Sequence, residues 1–224
     1  MAWHRNKNEI TGAGYGKRGG TMVINGIITA AGLSSRMGAF KPLLKLKDKT
    51  MIECSVDSML NAGVNQVVVV LGHRAEEVRK LLQSRYDRTR VLCADNPFYA
   101  ETDMMASMKT GISALPPCDA FYLLPGDMPA VRKDTFDALK ETMIRTKAAV
   151  VFPTFEGHRE HPPLISWDCK ELILGFHGEG GLKAVWKQLE DRSLEVPVED
   201  RGCRMDADAR EDYDHLVSYI AQAF

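Results

Sequence analysis

The stretch Val67-Val68-Val69-Val70-Leu71 constrains the fold most, because it is apolar at every position. A strand of this kind is buried on both faces, which is typical of the interior of a parallel sheet. Further apolar runs of strand length occupy residues 23–29, 90–94, 121–124 and 148–152, and stretches with helical spacing separate them. Parallel strands are joined by helical crossovers that cover the faces of the sheet. The sequence therefore predicts a three-layer α/β/α sandwich with a mostly parallel, Rossmann-like sheet.

The helical segments carry their own start signals. Thr50 with Glu53 three residues later predicts a capping box at the start of the first helix. Residues 75–84 and 103–114 have helical spacing as well. The chain is less regular after residue 154, where we expect a helix over about 181–190, a strand near 194–198 and a last helix from about 209.

Length and composition exclude several classes of protein. The 224 residues suit one well-filled domain, which we place at residues 23–224. Residues 1–22 lack a hydrophobic period, so we expect a disordered tail whose G-x-G-x-G at Gly12 to Gly16 precedes the first strand and is not a phosphate loop. With 29 basic and 30 acidic residues the chain lacks the positive excess of nucleic-acid binders. No apolar run reaches the ~20 residues of a membrane span, and a cytoplasmic location is expected.

The cysteines and the paired histidines do not indicate a structural metal site. The five cysteines are widely spaced, so neither a zinc knuckle nor a disulfide framework is indicated, and we expect reduced thiols. His158 and His161 could share a metal only on a helix, which Pro162 and Pro163 disfavour.

The segment after the first strand carries the clearest ligand signal. Small residues at its start allow a ligand to approach the backbone, and hydroxyls and cations follow that suit phosphate oxygens. The residues concerned are Ala30, Ala31, Gly32, Ser34, Ser35, Arg36 and Lys41. No Gly-Lys-Ser/Thr follows, so this is not a Walker-type loop. The segment predicts a polyphosphate site, with an ordinary solvated loop as the alternative.

Acidic residues follow two other segments. Asp127, after the strand at 121–124, faces the same sheet edge and is a candidate ligand for the Mg²⁺ that accompanies a nucleoside triphosphate. Simple Pro-Gly-Asp turn chemistry is the alternative. Asp206 and Asp208 point to one side if their segment is extended. Because Glu211 follows Asp208 by three residues, we expect Asp208 to cap the last helix and Asp206 to be the second metal ligand.

The chain resembles the MobA-like nucleotidyltransferases, and within them the molybdenum cofactor cytidylyltransferases. The motifs that carry the resemblance are Ala-Ala-Gly-Leu-Ser-Ser-Arg-Met-Gly at 30–38 with Lys41, Asn96-Pro97 with Tyr99 leading to Ser107 and Lys109, Gly126-Asp127-Met128-Pro129, His161-Pro162, and the acids at 206, 208 and 212. The first motif combined with Gly-Asp-Met-Pro is the specific part.

The resemblance implies a nucleotide-diphospho-sugar transferase-like fold and transfer of CMP from CTP to the terminal phosphate of molybdopterin, with release of pyrophosphate. It places the nucleotide on the first loop and near Ser107, its triphosphate on Arg36 and Lys41, Mg²⁺ on Asp127, and the acceptor on the side of His161. Arg36, Lys41 and Asp127 would then be the catalytic residues. A molybdenum hydroxylase or its chaperone would receive the product.

The chain departs from the family pattern at two places. Glu160 stands where the family usually has Gly, and Ala209-Arg210 stands where it has Thr-Pro. Three alternatives remain open: a guanylyltransferase for the same cofactor, a nucleotidyltransferase for another phosphorylated acceptor, and a carrier that delivers the cofactor without turnover.

Overall fold

A computed structural model describes residues 21–33, 37–101 and 103–223. Its strands are β1 (Ile24–Ala30), β2 (Lys45–Leu46), β3 (Lys49–Thr50), β4 (Val67–Leu71), β5 (Val91–Asp95), β6 (Ala120–Pro125), β7 (Val150–Phe155), β8 (His158–Arg159), β9 (Leu164–Ser166) and β10 (Ser193–Pro197). Its α-helices are α1 (Met51–Asn61), α2 (Ala75–Arg85), α3 (Met104–Ala114), α4 (Lys133–Thr146), α5 (Lys170–Leu174), α6 (Gly181–Gln188) and α7 (Arg210–Ala223). No described helix combines the length and apolar character that a membrane crossing requires.

One mixed sheet organises the molecule. Its strand order is β10-β7-β9-β6-β1-β4-β5, and β8 pairs with β7. The pairs β6–β1, β1–β4, β4–β5 and β7–β10 are parallel, whereas β9 runs antiparallel to both of its neighbours. The chain runs outward from β1 through β4 to β5 and then returns to β6 on the other side of β1. In such sheets ligands bind at the carboxyl ends of the strands where the order reverses.

The sheet separates two hydrophobic cores, as the predicted sandwich requires. Alternate residues of β4 face opposite sides, so Val67, Val69 and Leu71 join one core and Val68 and Val70 the other. Helices α1, α2 and α4 cover the first face, and α3, α5 and α6 cover the second. All five residues of β4 are fully buried. The three-layer, mostly parallel fold predicted from this apolar run is confirmed.

The predicted strands and helices lie within a few residues of the observed ones. The capping box is present, since the Thr50 hydroxyl accepts from the Glu53 N–H and the Thr50 N–H donates to the Glu53 carboxylate. The sequence reading missed β9, which follows Pro162-Pro163 and inserts between β6 and β7. Three residues are too few for a periodicity signal, and only long-range pairing reveals this strand.

A small third core holds the C-terminal helix against the body of the protein. Leu216 and Ile220 of α7 pack with Leu46 of the β2–β3 hairpin and with Met51. Ala207 is fully buried in the same core. Its burial fixes the segment before α7 and brings the carboxylate of Asp208 toward Lys41.

Candidate active site

A cleft of about 350 Å³ lies at the carboxyl ends of β1 and β6, the position that the sheet order predicts. It is lined by Thr29 to Leu33, Lys41, Pro42, Tyr99, Asp103, Met104, Ser107 and Pro125 to Asp127. The predicted nucleotide-binding residues Ala30, Ala31, Gly32, Lys41 and Ser107 are all part of this lining. Ser34, Ser35 and Arg36, predicted to bind the nucleotide, lie outside the described residues.

Close backbone packing fixes the start of the first loop. The His73 N–H donates to the Ala31 carbonyl over 3.3 Å, which ties the loop to the chain after β4. A Cβ atom at Gly72 would lie 2.5 Å from that carbonyl oxygen and 2.6 Å from the Tyr99 Cβ. Only glycine fits at position 72, and it allows the loop and Tyr99 to form adjacent walls of the cleft.

Lys41 connects two of the predicted acidic segments. Its ammonium lies 3.0 Å from Asp127 Oδ2 and 2.8 Å from Asp208 Oδ1. The lysine side chain is only 12% exposed. Burial works to lower the pKa of Lys41, but the hydrogen bonds and charges of Asp208 and Asp127 outweigh it and raise this pKa above its ordinary value. Lys41 is therefore a firmly held cation at one end of the cleft.

Asp127 is positioned by the turn that ends β6. The Gly126 N–H donates to the Thr29 carbonyl over 2.9 Å, and the Ser55 hydroxyl donates to the Gly126 carbonyl over 3.0 Å. These bonds hold the turn between β1 and α1. Because the turn is attached to two buried elements, the Asp127 carboxylate is held beside the first loop rather than free in solvent.

The structure assigns Asp208 a contact that the sequence reading did not predict. The last helix begins at Arg210, and the Ala209 N–H donates to the Asp212 carboxylate over 2.7 Å. Asp208, predicted as the helix cap, pairs with Lys41. Ala207, which lies between the two acids in the chain, is fully buried, and Asp208 beside it meets Lys41.

Asp206 lies beside the same group of carboxylates. Burial, followed by the negative charges of Asp127 and Asp208, raises its pKa, and the ammonium of Lys41 opposes this change. Asp206 also lines a second cleft of about 560 Å³. The other lining residues are Phe155, Glu156, Arg201, Arg204, Met205, Asp212 and His215. The acidic group formed by Asp127, Asp206 and Asp208, here termed the carboxylate cluster, thus lies where the two clefts approach each other.

His161, predicted on the acceptor side, does not line either cleft. Its Nδ1 lies 3.4 Å from the Leu123 carbonyl oxygen, and its backbone N–H donates to the Cys203 carbonyl. Burial lowers the pKa of this imidazole. The preceding Glu160 lies 3.6 Å from the Arg204 guanidinium, and its pKa is raised by burial. Arg204 lines the second cleft, so Glu160 reaches this region through an ion pair.

The carboxylate cluster suits a divalent cation that arrives with its ligand. Among the described residues no three His, Cys, Asp or Glu side chains converge to form a metal site by themselves. Mg²⁺ is commonly held by one or two carboxylates together with substrate phosphates. Asp127 and Asp208 already direct one oxygen each toward a shared cation, the Lys41 ammonium. The donor set therefore fits Mg²⁺ bound jointly by protein and nucleotide.

Sequence reasoning missed several residues of the first cleft. Tyr99 and Met104 line it, as does Asp103, whose carboxylate accepts the Ala106 N–H at the start of α3. Asp103 was recognised only as a helix start, since a cap and a ligand contact have the same sequence signal. The packing of α3 against β1 and β4 brings these residues to the cleft, although they follow β5 in the chain.

The sheet is open and mostly parallel, the cleft lies where the strand order reverses, and the Lys41 ammonium lies beside it. These features are typical of the class of α/β proteins that bind phosphorylated ligands at the carboxyl ends of their strands. Residues 26–193 match the MobA-like NTP transferase domain family, and the chain belongs to this family. The fold is that of the nucleotide-diphospho-sugar transferases.

Individual relatives agree with this assignment. The chain is 34% identical to the molybdenum cofactor cytidylyltransferase of Escherichia coli over 147 residues, which are 65% of this chain and 71% of that protein. It is 25% identical to a probable molybdenum cofactor guanylyltransferase of Natranaerobius thermophilus over 61% of this chain and 63% of that protein. A solved nucleotidyl transferase from Methanothermobacter thermautotroptrophicus superimposes with a TM-score of 0.77 at 26% identity, covering 92% of this chain and 100% of that one.

Proposed function

We propose that this chain transfers CMP from CTP to the terminal phosphate of molybdopterin and releases pyrophosphate. The observation that carries the proposal is the pairing of Lys41 with Asp127 and Asp208 at the end of a cleft built from the first loop. The likeness to the cytidylyltransferase of Escherichia coli supports the choice of CTP and of the acceptor.

The reaction needs alignment of two phosphates rather than a protein nucleophile. An oxygen of the acceptor phosphate attacks the α-phosphorus of CTP, and the bond from that phosphorus to the oxygen bridging the β-phosphate breaks. The electron pair leaves with pyrophosphate. Catalysis then consists of holding the two phosphates in line and neutralising charge as it develops.

Each group of the site has a role in this scheme. The cleft holds the nucleotide, and Lys41 neutralises charge on the triphosphate. Asp127 and Asp208 would hold Mg²⁺, with Asp206 beside them. When bound, Mg²⁺ supplies further neutralisation of the phosphate oxygens. Lys41 contacts both acids, so the side chains that would hold Mg²⁺ also position the lysine that meets the triphosphate.

The second cleft is the proposed entrance for the acceptor. It shares Asp206 with the carboxylate cluster, so a molecule bound there presents its phosphate to the same cations that hold the nucleotide. Arg204 of this cleft pairs with Glu160, one of the two positions at which the resemblance predicts a departure from the family pattern. We propose the Arg204–Glu160 pair as the acceptor-facing feature particular to this chain.

The test is incubation of purified protein with Mg²⁺, molybdopterin and equal concentrations of CTP and GTP. We expect pyrophosphate release that requires both substrates and a predominantly cytosine-containing dinucleotide. A predominantly guanine product would replace the cytidylyl assignment with the guanylyl one. Binding of molybdopterin without pyrophosphate release would favour the carrier. If CTP is turned over with a different phosphorylated acceptor and not with molybdopterin, the nucleotidyltransferase assignment stands and molybdopterin is rejected as the acceptor.

A further inference from the structure

The hydrogen bond between Asn96 and Ser107 has a defined direction. Asn96 is the first residue after β5, and its backbone N–H donates to the Leu71 carbonyl at the end of β4. Its side-chain Nδ2 lies 3.3 Å from the Ser107 hydroxyl oxygen on α3. Both residues are buried, with 4% and 6% of their surfaces exposed. Ser107 also lines the first cleft, whereas Asn96 does not.

A second hydrogen bond fixes which atom of the Asn96 amide faces Ser107. The Phe98 N–H donates to Asn96 Oδ1 over 3.1 Å, so this side of the amide must be the oxygen. The NH₂ group therefore faces Ser107, and the serine oxygen accepts. A hydroxyl has one proton, and accepting from Asn96 leaves that proton available for another partner.

The other hydroxyls of α3 behave differently. Thr110 and Ser113 donate to the carbonyls of Ala106 and Lys109, four residues earlier in the helix. For Ser107, Asn96 is the hydrogen-bond partner of the hydroxyl among the described residues. The Ser107 proton is thus directed away from its helix and is available to the cleft.

Charge places the nucleoside part of the ligand at this end of the cleft. Asp127 follows β6 and pairs with Lys41, whereas Tyr99, Asp103 and Ser107 come from the segment after β5 and from the start of α3. In the proposed function the triphosphate meets Lys41 and the cation that Asp127 and Asp208 would hold, so the nucleoside extends toward Tyr99, Asp103 and Ser107. We infer that Asn96 is a positioning residue, which fixes the Ser107 hydroxyl as a hydrogen-bond donor to an acceptor atom on the nucleoside portion of the bound triphosphate.

This inference deepens the proposed function and rests on nucleotide binding in the first cleft. Cytosine offers such acceptors in its O2 and N3 atoms. The residue acts through Ser107 and does not contact the reacting atoms.

The main experiment measures CTP affinity by calorimetry in Asn96→Asp, Ser107→Ala and the double variant. Asn96→Asp keeps an oxygen for the Phe98 N–H but replaces the donor by an acceptor, so the Ser107 proton turns away from the cleft. We expect each single variant to bind CTP about fivefold to thirtyfold more weakly. The double variant should bind within about twofold of Ser107→Ala, because both changes remove the same interaction.

Three controls separate this role from added charge and from loss of structure. Tripolyphosphate, which lacks a nucleoside, should inhibit the Asn96→Asp variant and the wild type equally. Asn65 lies at the opposite end of β1, where its side chain accepts the Ile24 N–H. Asn65→Asp makes the same chemical change at this distant position and should leave CTP affinity unchanged. Asn96→Ser removes the amide without adding charge, and its hydroxyl can still accept the Phe98 N–H. This variant should bind CTP more weakly with little change in melting temperature.

The results distinguish this inference from the function on which it rests. Equal weakening of CTP and tripolyphosphate, independent losses in the double variant, or full CTP affinity in Asn96→Ser would overturn the role of Asn96. Nucleotide binding that follows these expectations, with no transfer to molybdopterin, would count against the proposed reaction alone. Absence of binding of any nucleoside triphosphate by the wild type would overturn both.

Discussion

The Lys41 ammonium lies 2.8 Å from Asp208 Oδ1, although 167 positions separate the two residues in the chain. The contact joins the first loop to the segment before the last helix. It also places an ammonium group among the carboxylates of the site.

Asp127→Asn and Asp208→Asn should each lose nearly all transfer activity while the melting temperature stays close to that of the wild type. The amide keeps the shape of the side chain but not the charge that holds Mg²⁺. Steady-state rates at saturating CTP and Mg²⁺ measure the effect. Asp214→Asn, in an exposed pair with Arg210, is the matched control. A folded Asp127→Asn variant that retains more than about a tenth of the activity, or about 1.4 kcal/mol, would contradict the metal role.

Lys41→Met should weaken CTP binding and, without nucleotide, strengthen the binding of Mn²⁺ as a probe for Mg²⁺. Removing the ammonium leaves three neighbouring carboxylates without their internal counter-charge, so an added cation is attracted more strongly. Manganese titration followed by electron paramagnetic resonance measures this, and we expect an affinity severalfold higher. Lys49→Met, which breaks the pair with Asp57, should change neither property. Unchanged or weaker Mn²⁺ binding in Lys41→Met would show that lysine and metal do not share this position.

Gly32, which lines the cleft, and Gly72, which packs against the cleft residues Ala31 and Tyr99, should respond differently to alanine. Gly72→Ala introduces a Cβ 2.5 Å from the Ala31 carbonyl oxygen, so we expect about 1–3 kcal/mol of destabilisation together with weaker nucleotide binding. Gly32→Ala meets no atom within 4 Å, so its fold should be intact. If CTP approaches the backbone at Gly32, the Gly32→Ala variant should lose CTP affinity without losing stability. Chemical denaturation measures the change in stability, and calorimetry measures the change in CTP affinity. A destabilised Gly32→Ala variant would contradict the prediction that an alanine side chain fits at this position.

Deletion of residues 1–20 should leave transfer activity and CTP affinity unchanged. The described cleft and the carboxylate cluster are built from residues 29–208, and the contact of Val23 with Asp119 remains in the shortened chain. Comparison of kcat/KM for CTP between the full and shortened proteins checks this. A loss of more than about tenfold would mean that the N-terminal segment takes part in the site.

Much of the site was accessible from residue order because parallel strands bring their carboxyl ends to one edge. Ala31, Lys41 and Asp127 follow recognisable strands, and the structure places all three on one cleft. The tertiary contacts of Asp208 and Asn96 could not be found in this way. A carboxylate before a helix has the same sequence signal whether it caps the helix or pairs with a distant lysine.

The amino-acid sequence by itself determined the layered sheet, because a fully apolar strand such as Val67–Leu71 can be buried only with helices on both faces. It also predicted a polyphosphate site on the loop after β1, because small residues and cations follow the first strand. Only the tertiary structure decided the partner of Lys41, the insertion of β9 and the direction of the Asn96–Ser107 hydrogen bond. These depend on contacts between segments far apart in the chain, which the burial of residues such as Ala207 fixes and which no local periodicity records.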